Sequence, residues 1–167
     1  MLSPETVPFE TTVHVRDSCL CLHTQRAART LARRFDEALR PAGLTNEQFS
    51  FLMSLNRPGP PSVGEVAALL GADRTTLTAA LKPMVRRGLA EVAVDVDDRR
   101  VRRIALTPEG RACLAAALPF WTQAHAALEA ELAASDPARL RRDLTMLSST
   151  RPGLAAPALC DSQETIA

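Results

Sequence analysis

The spacing of apolar residues divides the chain into a succession of helices interrupted by one short β-type segment. From Asp17 or Ser18 to about Arg40, residues Leu20, Ala27, Ala28, Leu31, Phe35 and Leu39 recur at helical spacing, until Pro41 and Gly43 end the run. Thr45-Asn46-Glu47-Gln48 reads as a capping box, in which a hydroxyl and an amide satisfy the free N–H groups of a helix start. The helix it opens carries Phe49, Leu52 and Leu55 and stops at Arg57-Pro58-Gly59-Pro60-Pro61. Ser62-Val63-Gly64-Glu65 repeats the device for a short helix with Val66, Ala67, Leu69 and Leu70, closed by Gly71. Asp73 caps a further helix from Arg74 to Arg87, with Leu77, Leu81 and Val85 as its buried face and Gly88 just past its end. Leu89–Val94 and Val101–Leu106 are β-type runs on either side of a charged tip, Asp95–Arg100. Thr107-Pro108 starts a long alanine-rich helix to about Ala134, which Pro119 is expected to kink or break. Ser135-Asp136-Pro137 opens a last helix with Leu140, Leu144 and Leu147 at packing intervals. Residues 1–14, with two prolines, read as an extended arm, and 151–167 as a Pro/Ala/Ser-rich tail.

This order predicts a mainly α fold with a small β-hairpin wing, a winged helix-turn-helix framed by long helices at both ends. The two short helices joined by Gly71-Ala72 match the motif whose second helix enters the DNA major groove. The first turn of that helix offers Arg74, Thr75, Thr76 and Thr78, with Lys82 and Arg86 further along. Arginine can donate two bonds to guanine, and a threonine methyl can touch thymine. At the hairpin, Arg99 and Arg100 suit a narrow, electronegative minor groove, with Arg102 behind them and Asp97 and Asp98 placed to orient a guanidinium. Asp98 is therefore counted with the DNA-binding set.

Composition adds little until its distribution is considered. The 167 residues, 46% hydrophobic and 23% charged, suit one compact domain with modest extensions, and a net charge of +1 does not favour nucleic acid. Residues 72–106, however, carry eight basic side chains against five acidic ones, a local excess of three. No apolar run reaches the roughly 18–20 residues that cross a bilayer, and no secretory signal opens the chain, so a soluble cytoplasmic protein is expected. There four cysteines need form no disulfide framework.

Asp95-Val96-Asp97-Asp98-Arg99-Arg100 followed by Leu106-Thr107-Pro108-Glu109-Gly110 resembles the MarR-family pattern DxxDRR and LTxxG. The stretch from Asp73 to Thr78, continued by Leu81, Gly88 and Leu89, is similar to that family's recognition helix, with Pro83 as a departure inside it. The resemblance covers roughly residues 17–150. It implies a homodimer whose terminal helices intertwine, a near-palindromic operator, and a small aromatic or carboxylate effector that releases a repressor from DNA. On that basis residues 1–16 are an N-terminal arm, 17–44 a dimerisation helix and 45–110 the DNA-binding lobe. Residues 111–150 supply further dimerisation helices, ahead of the 151–167 tail. His23, Arg26, Phe49, Trp121 and His125 are the candidates for an effector pocket.

Cys19, Cys21 and Cys113 are the candidates for a thiol switch, the alternative mode of regulation. Cys21 aligns with the reactive cysteine of the organic-hydroperoxide-sensing branch of the family. That branch bonds its cysteine with tyrosines, and this chain has none; Phe35 and Asn46 stand at the matching positions. Cys19-x-Cys21-x-His23 does not make a metal site on a helix, because steps of two residues point the side chains apart. No nucleophile elbow, zinc-protease motif or Gly-rich phosphate loop is present, so no catalysis and no cofactor are expected. A winged-helix module for protein partners is the remaining class, and the paired arginines at the wing argue against it.

Overall fold

The computed structural model describes residues 6–149; the tail assigned to 151–167 and the first five residues of the arm lie outside them. The chain runs α1 (Phe9–Ser18), α2 (Leu20–Leu39), a 3₁₀ turn (Arg40–Ala42), α3 (Asn46–Leu55), α4 (Val63–Leu70) and α5 (Arg74–Arg86). Strands β1 (Ala90–Val94) and β2 (Arg102–Leu106) follow, then α6 (Pro108–Glu131), a 3₁₀ turn (Ala133–Ser135) and α7 (Pro137–Ser149). Internal contacts divide it into two units, one ending at Leu128 and the other beginning at Glu129. Among the described residues, no helix is long and apolar enough to cross a membrane. This is the mainly α fold with a hairpin wing that the apolar spacing predicts.

The caps form as their residues dictate. Thr45 Oγ1 accepts from Gln48 N while Gln48 returns the bond to Thr45 N, and Ser62 and Glu65 do the same at α4. Asp73 caps α5 through Thr76 N, and Asp136 accepts from Ala138 N and Arg139 N at the head of α7. Gly88 closes α5 in the left-handed region at φ 68°, a conformation that needs no Cβ.

The core gathers where the C-terminal part of α2 meets α3, α4, α5 and the hairpin. Leu39, Phe51, Leu52, Val66, Leu77, Met84 and Ile104 are its most enclosed members. β1 and β2 pair antiparallel with Val92 opposite Ile104 and Val94 opposite Arg102. Pro61 O accepts from Ile104 N at 2.9 Å, and Ser62 bridges Arg103, so the segment ahead of α4 extends the hairpin by one short contact.

Five local readings are corrected. The arm is not extended throughout: α1 begins after Pro8, because residues 9–18 hold neither proline nor glycine. The long helix starts later than Asp17, at Leu20, with Cys19 in an extended conformation as its cap. The buried face of α5 is completed by Met84 rather than Val85, which is 42% exposed; positions 77, 81 and 84 share one stripe and 85 lies beside it. Leu69 of α4, expected on the packed face, is 65% exposed for the same reason of phase. Pro119 does not break α6, which runs without interruption to Glu131. The carbonyl it deprives of a partner belongs to Ala115, an exposed residue whose oxygen water can satisfy.

Candidate nucleic-acid interface

Helix α5 and the hairpin flank a cleft graded along its length. At the N-terminal end of α5 it is polar, about 300 Å³ in volume, and lined by Arg74, Thr78, Arg100 and Arg102 over Ser62 and Val63. Towards the C-terminal end it becomes an apolar groove of about 660 Å³ between Leu81, Pro83 and Val85 of α5 and Val92 of β1, with Lys82 and Arg86 at its edge. Pro83 leaves α5 continuous, like Pro119 in α6, and frees the carbonyl of the exposed Ala79.

All ten residues assigned to DNA from the sequence, namely Arg74, Thr75, Thr76, Thr78, Lys82, Arg86, Asp98, Arg99, Arg100 and Arg102, are exposed. They differ in what they are already bonded to. Thr76 Oγ1 donates to Asp73 at 3.0 Å and Thr78 Oγ1 donates to Arg74 O at 2.7 Å, which ties both hydroxyls to the helix. Among the described residues the hydroxyl of Thr75 makes no such bond. Arg74, Lys82, Arg86, Arg99 and Arg100 likewise make no side-chain ion pair or hydrogen bond with described residues. Arg102 donates to Arg99 O at 2.9 Å. Gly64 lies beside the Arg74 side chain, where a Cβ would stand at an ordinary contact distance of 3.4 Å from Arg74 Nη2.

The acids of the wing serve its own backbone. Asp95 Oδ1 accepts from Asp97 N at 2.8 Å and Asp98 N at 3.0 Å, which folds the tip. Asp98 Oδ1 in turn accepts from Arg100 N at 2.9 Å. The expectation that Asp97 and Asp98 would orient a wing guanidinium is thus corrected: Asp95 holds one, that of Arg103, at 2.5 Å. Arg103 also reaches Glu65 at 3.2 Å and Pro60 O at 3.4 Å. Arg103 beside it, helped by the Asp98 and Asp97 amides, draws the Asp95 carboxyl down from 3.8 to about 2. Its contribution is therefore complete above the unfolded value and lost only as the pH falls through about 2, so acidification to about pH 4 leaves the wing turn tied.

From the sequence Asp95 stands only as the first residue of the wing motif and Glu65 only as a capping residue, and Arg103 has no role of its own. Local spacing places Glu65 in a capping box, but nothing local reveals that Arg103 lies beside it across 38 residues. Strand register would have given a hint: Arg103 falls opposite Ala93, on the face away from Ile104 and Arg102.

The effector candidates are only partly gathered. Phe49 stacks on Trp121 at 6.0 Å between ring centroids, and Trp121 on His125 at 4.7 Å. His23 and Arg26 stand exposed on α2, His23 against Asp17 O at 3.3 Å. Of the thiols, Cys19 Sγ accepts from Leu22 N, Cys21 is exposed beside Gln25, and Cys113 lies half-buried 4.0 Å from Ala42 O.

The family model for MarR matches residues 42–101. The chain is 44% identical to the transcriptional regulator MOSR of M. tuberculosis, solved as a crystal structure with DNA, over 78% of this chain and 94% of that one, with a TM-score of 0.72. It is 28% identical to the transcriptional repressor CouR, bound to a 23-mer DNA duplex, over 80% and 93% of the two chains, with a TM-score of 0.65. Over 89 residues, 52% of its length, it is 35% identical to the transcriptional activatory protein BadR of Rhodopseudomonas palustris. The match spans 51% of BadR, so the chain covers about half the length of that curated relative.

Proposed function

The chain belongs to the MarR family, a family of transcriptional regulators rather than enzymes, and from that premise we propose that it is a homodimeric, sequence-specific DNA-binding regulator acting in the cytoplasm. The observation that carries this is the division of its cations. Arg74, Lys82 and Arg86 on α5 and Arg99 and Arg100 on the wing tip are exposed and uncommitted among the described residues; Arg74, Lys82, Arg86 and Arg100 line the cleft between α5 and the hairpin, and Arg99 is the neighbour of Arg100 at the tip. A duplex supplies the missing anions, with its major groove on α5 and its minor groove under the wing. The 44% identity to a chain solved on DNA supports the same partner.

Exposed apolar side chains support the dimer. Leu20 and Leu31 on α2, Leu118 and Phe120 on α6, and Leu140, Leu144 and Leu147 on α7 stand in water in a single copy. A second copy covering residues 17–44 and 111–150 would remove them from solvent, leaving 45–110 as the DNA-binding lobe. Two-fold symmetry places the recognition helices about 34 Å apart, one turn of duplex, and asks for a near-palindromic operator. The stacked Phe49, Trp121 and His125 support a pocket for a flat effector, an aromatic or carboxylate compound that releases a repressor from DNA. Repression follows the sense of CouR; BadR carries the opposite sense in its name.

A second reading rests on the exposed thiol of Cys21 two residues from Cys19 at the start of α2, with Cys113 a further candidate: regulation by thiol oxidation. Fluorescence anisotropy of the purified protein on the DNA upstream of its own gene, across a salt series with and without dithiothreitol, separates the readings. Tight binding that weakens steeply with salt is the expected result, and dependence on the reductant would favour the thiols over a small-molecule effector. Absence of salt-sensitive binding to this DNA or to genomic fragments would leave a winged-helix module for protein partners.

Within this reading Arg74 is the base-reading residue. Arg74→Ala should reduce discrimination between operator and random duplex by about 1–3 kcal/mol. An equal loss on both DNAs would make it a phosphate contact instead.

A further inference from the structure

Arg103 stands apart from the other arginines of the hairpin because its charge is already spent. Its Nε meets Asp95 at 2.5 Å and its Nη1 meets Glu65 at 3.2 Å, so a single guanidinium lies between two carboxylates. The cluster carries one negative charge overall and is a poor site for phosphate. Strand alternation also turns Arg103 to the face of the hairpin opposite Val92 and Arg102, the two strand residues that line the cleft against α5.

What the cluster connects is specific. Arg100 N is held by Asp98, whose own N–H is held by Asp95. Asp95 holds Arg103, Arg103 holds Glu65, and Glu65 Oε2 accepts from Ser62 N at 2.7 Å at the first turn of α4. An unbroken run of bonds thus joins the wing tip to the first helix of the helix-turn-helix. We propose that Arg103 is a positioning residue for DNA binding, one that touches no DNA but locks the wing so that Arg99 and Arg100 meet the duplex together with α5. The inference rests on the reading of those two arginines as wing contacts.

The physical need is plain. A two-stranded hairpin is marginal by itself, and beyond Val94 and Arg102 this one has only its tip turn to order it. A wing free to swing would have to be ordered on binding, and that entropy would be lost from the affinity. Arginine suits the position because its planar fork reaches both carboxylates at once, whereas a lysine ammonium on a flexible stem does not hold two such partners in fixed geometry.

The test is a cycle of variants: Arg103→Met, Arg103→Lys, Arg99→Ala/Arg100→Ala, and the combination of Arg103→Met with the double substitution. The probe is a 30-bp duplex selected from a random library by the wild-type protein, read by anisotropy across a salt series, with thermal melting alongside. Arg103→Met is expected to melt within a few degrees of wild type and bind about tenfold more weakly or worse, with a shallower salt dependence although it removes no DNA contact. Arg103→Lys should recover only part of the loss. In the Arg99→Ala/Arg100→Ala background, Arg103→Met should cost less than twofold more, because the two tip contacts that it positions are already gone. Should Arg103→Met prove unfolded, Glu65→Gln keeps an oxygen for Ser62 N while removing one ion pair, and the same dependence on Arg99 and Arg100 is expected at smaller size. Losses that simply add would overturn the proposal by showing that Arg103 acts on DNA itself or on folding alone. If Arg99→Ala/Arg100→Ala binds like wild type, the wing reading fails and the proposal falls with it; if only the double substitution weakens binding, the wing reading stands and the lock alone is refuted.

Discussion

Gly110→Ala should lower the melting temperature of this protein by about 6–12 °C, the effect of about 3 kcal/mol on a chain of this size. Gly110 is the third residue of α6, and a Cβ placed on it would lie 1.9 Å from the carbonyl oxygen of Leu89 and 2.9 Å from its carbon. These are backbone atoms and cannot turn aside as the end of a side chain would. Leu89 O is also engaged, accepting from Thr107 N at 3.3 Å. Next to it Thr107 Oγ1 donates to Gly88 O at 2.6 Å and accepts from Gly110 N at 2.9 Å. The start of α6 is therefore docked on the turn between α5 and β1, and a methyl group at 110 must push the two apart. Leu89, Leu106 and Leu114, all buried, lie along the same seam and would lose packing with it. Circular dichroism melting of Gly110→Ala beside Glu109→Ala, an exposed neighbour in the same turn, isolates the effect. A melting point for Gly110→Ala within 2 °C or so of wild type would mean that α6 does not sit against Leu89.

The same glycine shows where reading a sequence stops. Gly110 is recognisable as the last letter of a motif, yet the reason for it lies in an atom 21 positions earlier in the chain, brought near only by folding. Features whose partners are a few residues away were legible: the capping boxes of Thr45 and Ser62, the Asp73 cap and the Gly88 stop all involve contacts within one turn. So was the order of helices and strands, because period 3.6 and period 2 are properties of the chain itself. Phase was less secure. Leu77, Leu81 and either Met84 or Val85 satisfy a helical repeat equally well, and only the position of the neighbouring elements places Met84 inward. Pro119 does not break its helix, because the cost of a helical proline depends on the surroundings of the carbonyl it frees, here that of the exposed residue Ala115, which is a matter of exposure and not of sequence. At the interface the exposed cations were legible as a group. Which of them is uncommitted was not, since Arg103 and Arg102 are neighbours in sequence and face opposite sides of one hairpin.

Simultaneous replacement of Arg99 and Arg100 by alanine is expected to weaken operator binding by about a hundredfold or more at moderate salt, while leaving the assembly state and melting temperature unchanged. Both side chains are exposed at the wing tip and bond to no described residue, so their removal takes nothing from the fold. The turn that presents them depends instead on Asp95 and on the Asp98 carboxylate, which holds the main chain of Arg100 and is unaffected by the substitution. A dimer with two wings loses four cationic contacts. The slope of log affinity against log salt should therefore fall by about three to four units, each phosphate contact being worth about 0.9. This slope is the discriminating quantity. Contacts to minor-groove bases or phosphates both carry charge and both change it, whereas an indirect effect through folding would lower affinity and leave the slope of the remaining molecules as it was. Random duplex should show nearly the same loss as operator, because a wing in the minor groove reads width and potential more than base identity. Loss confined to the operator would place Arg99 and Arg100 in the major groove beside Arg74 and would require α5 and the hairpin to share one groove. An unchanged slope would take the wing off the DNA altogether and leave α5 as the whole of the interface.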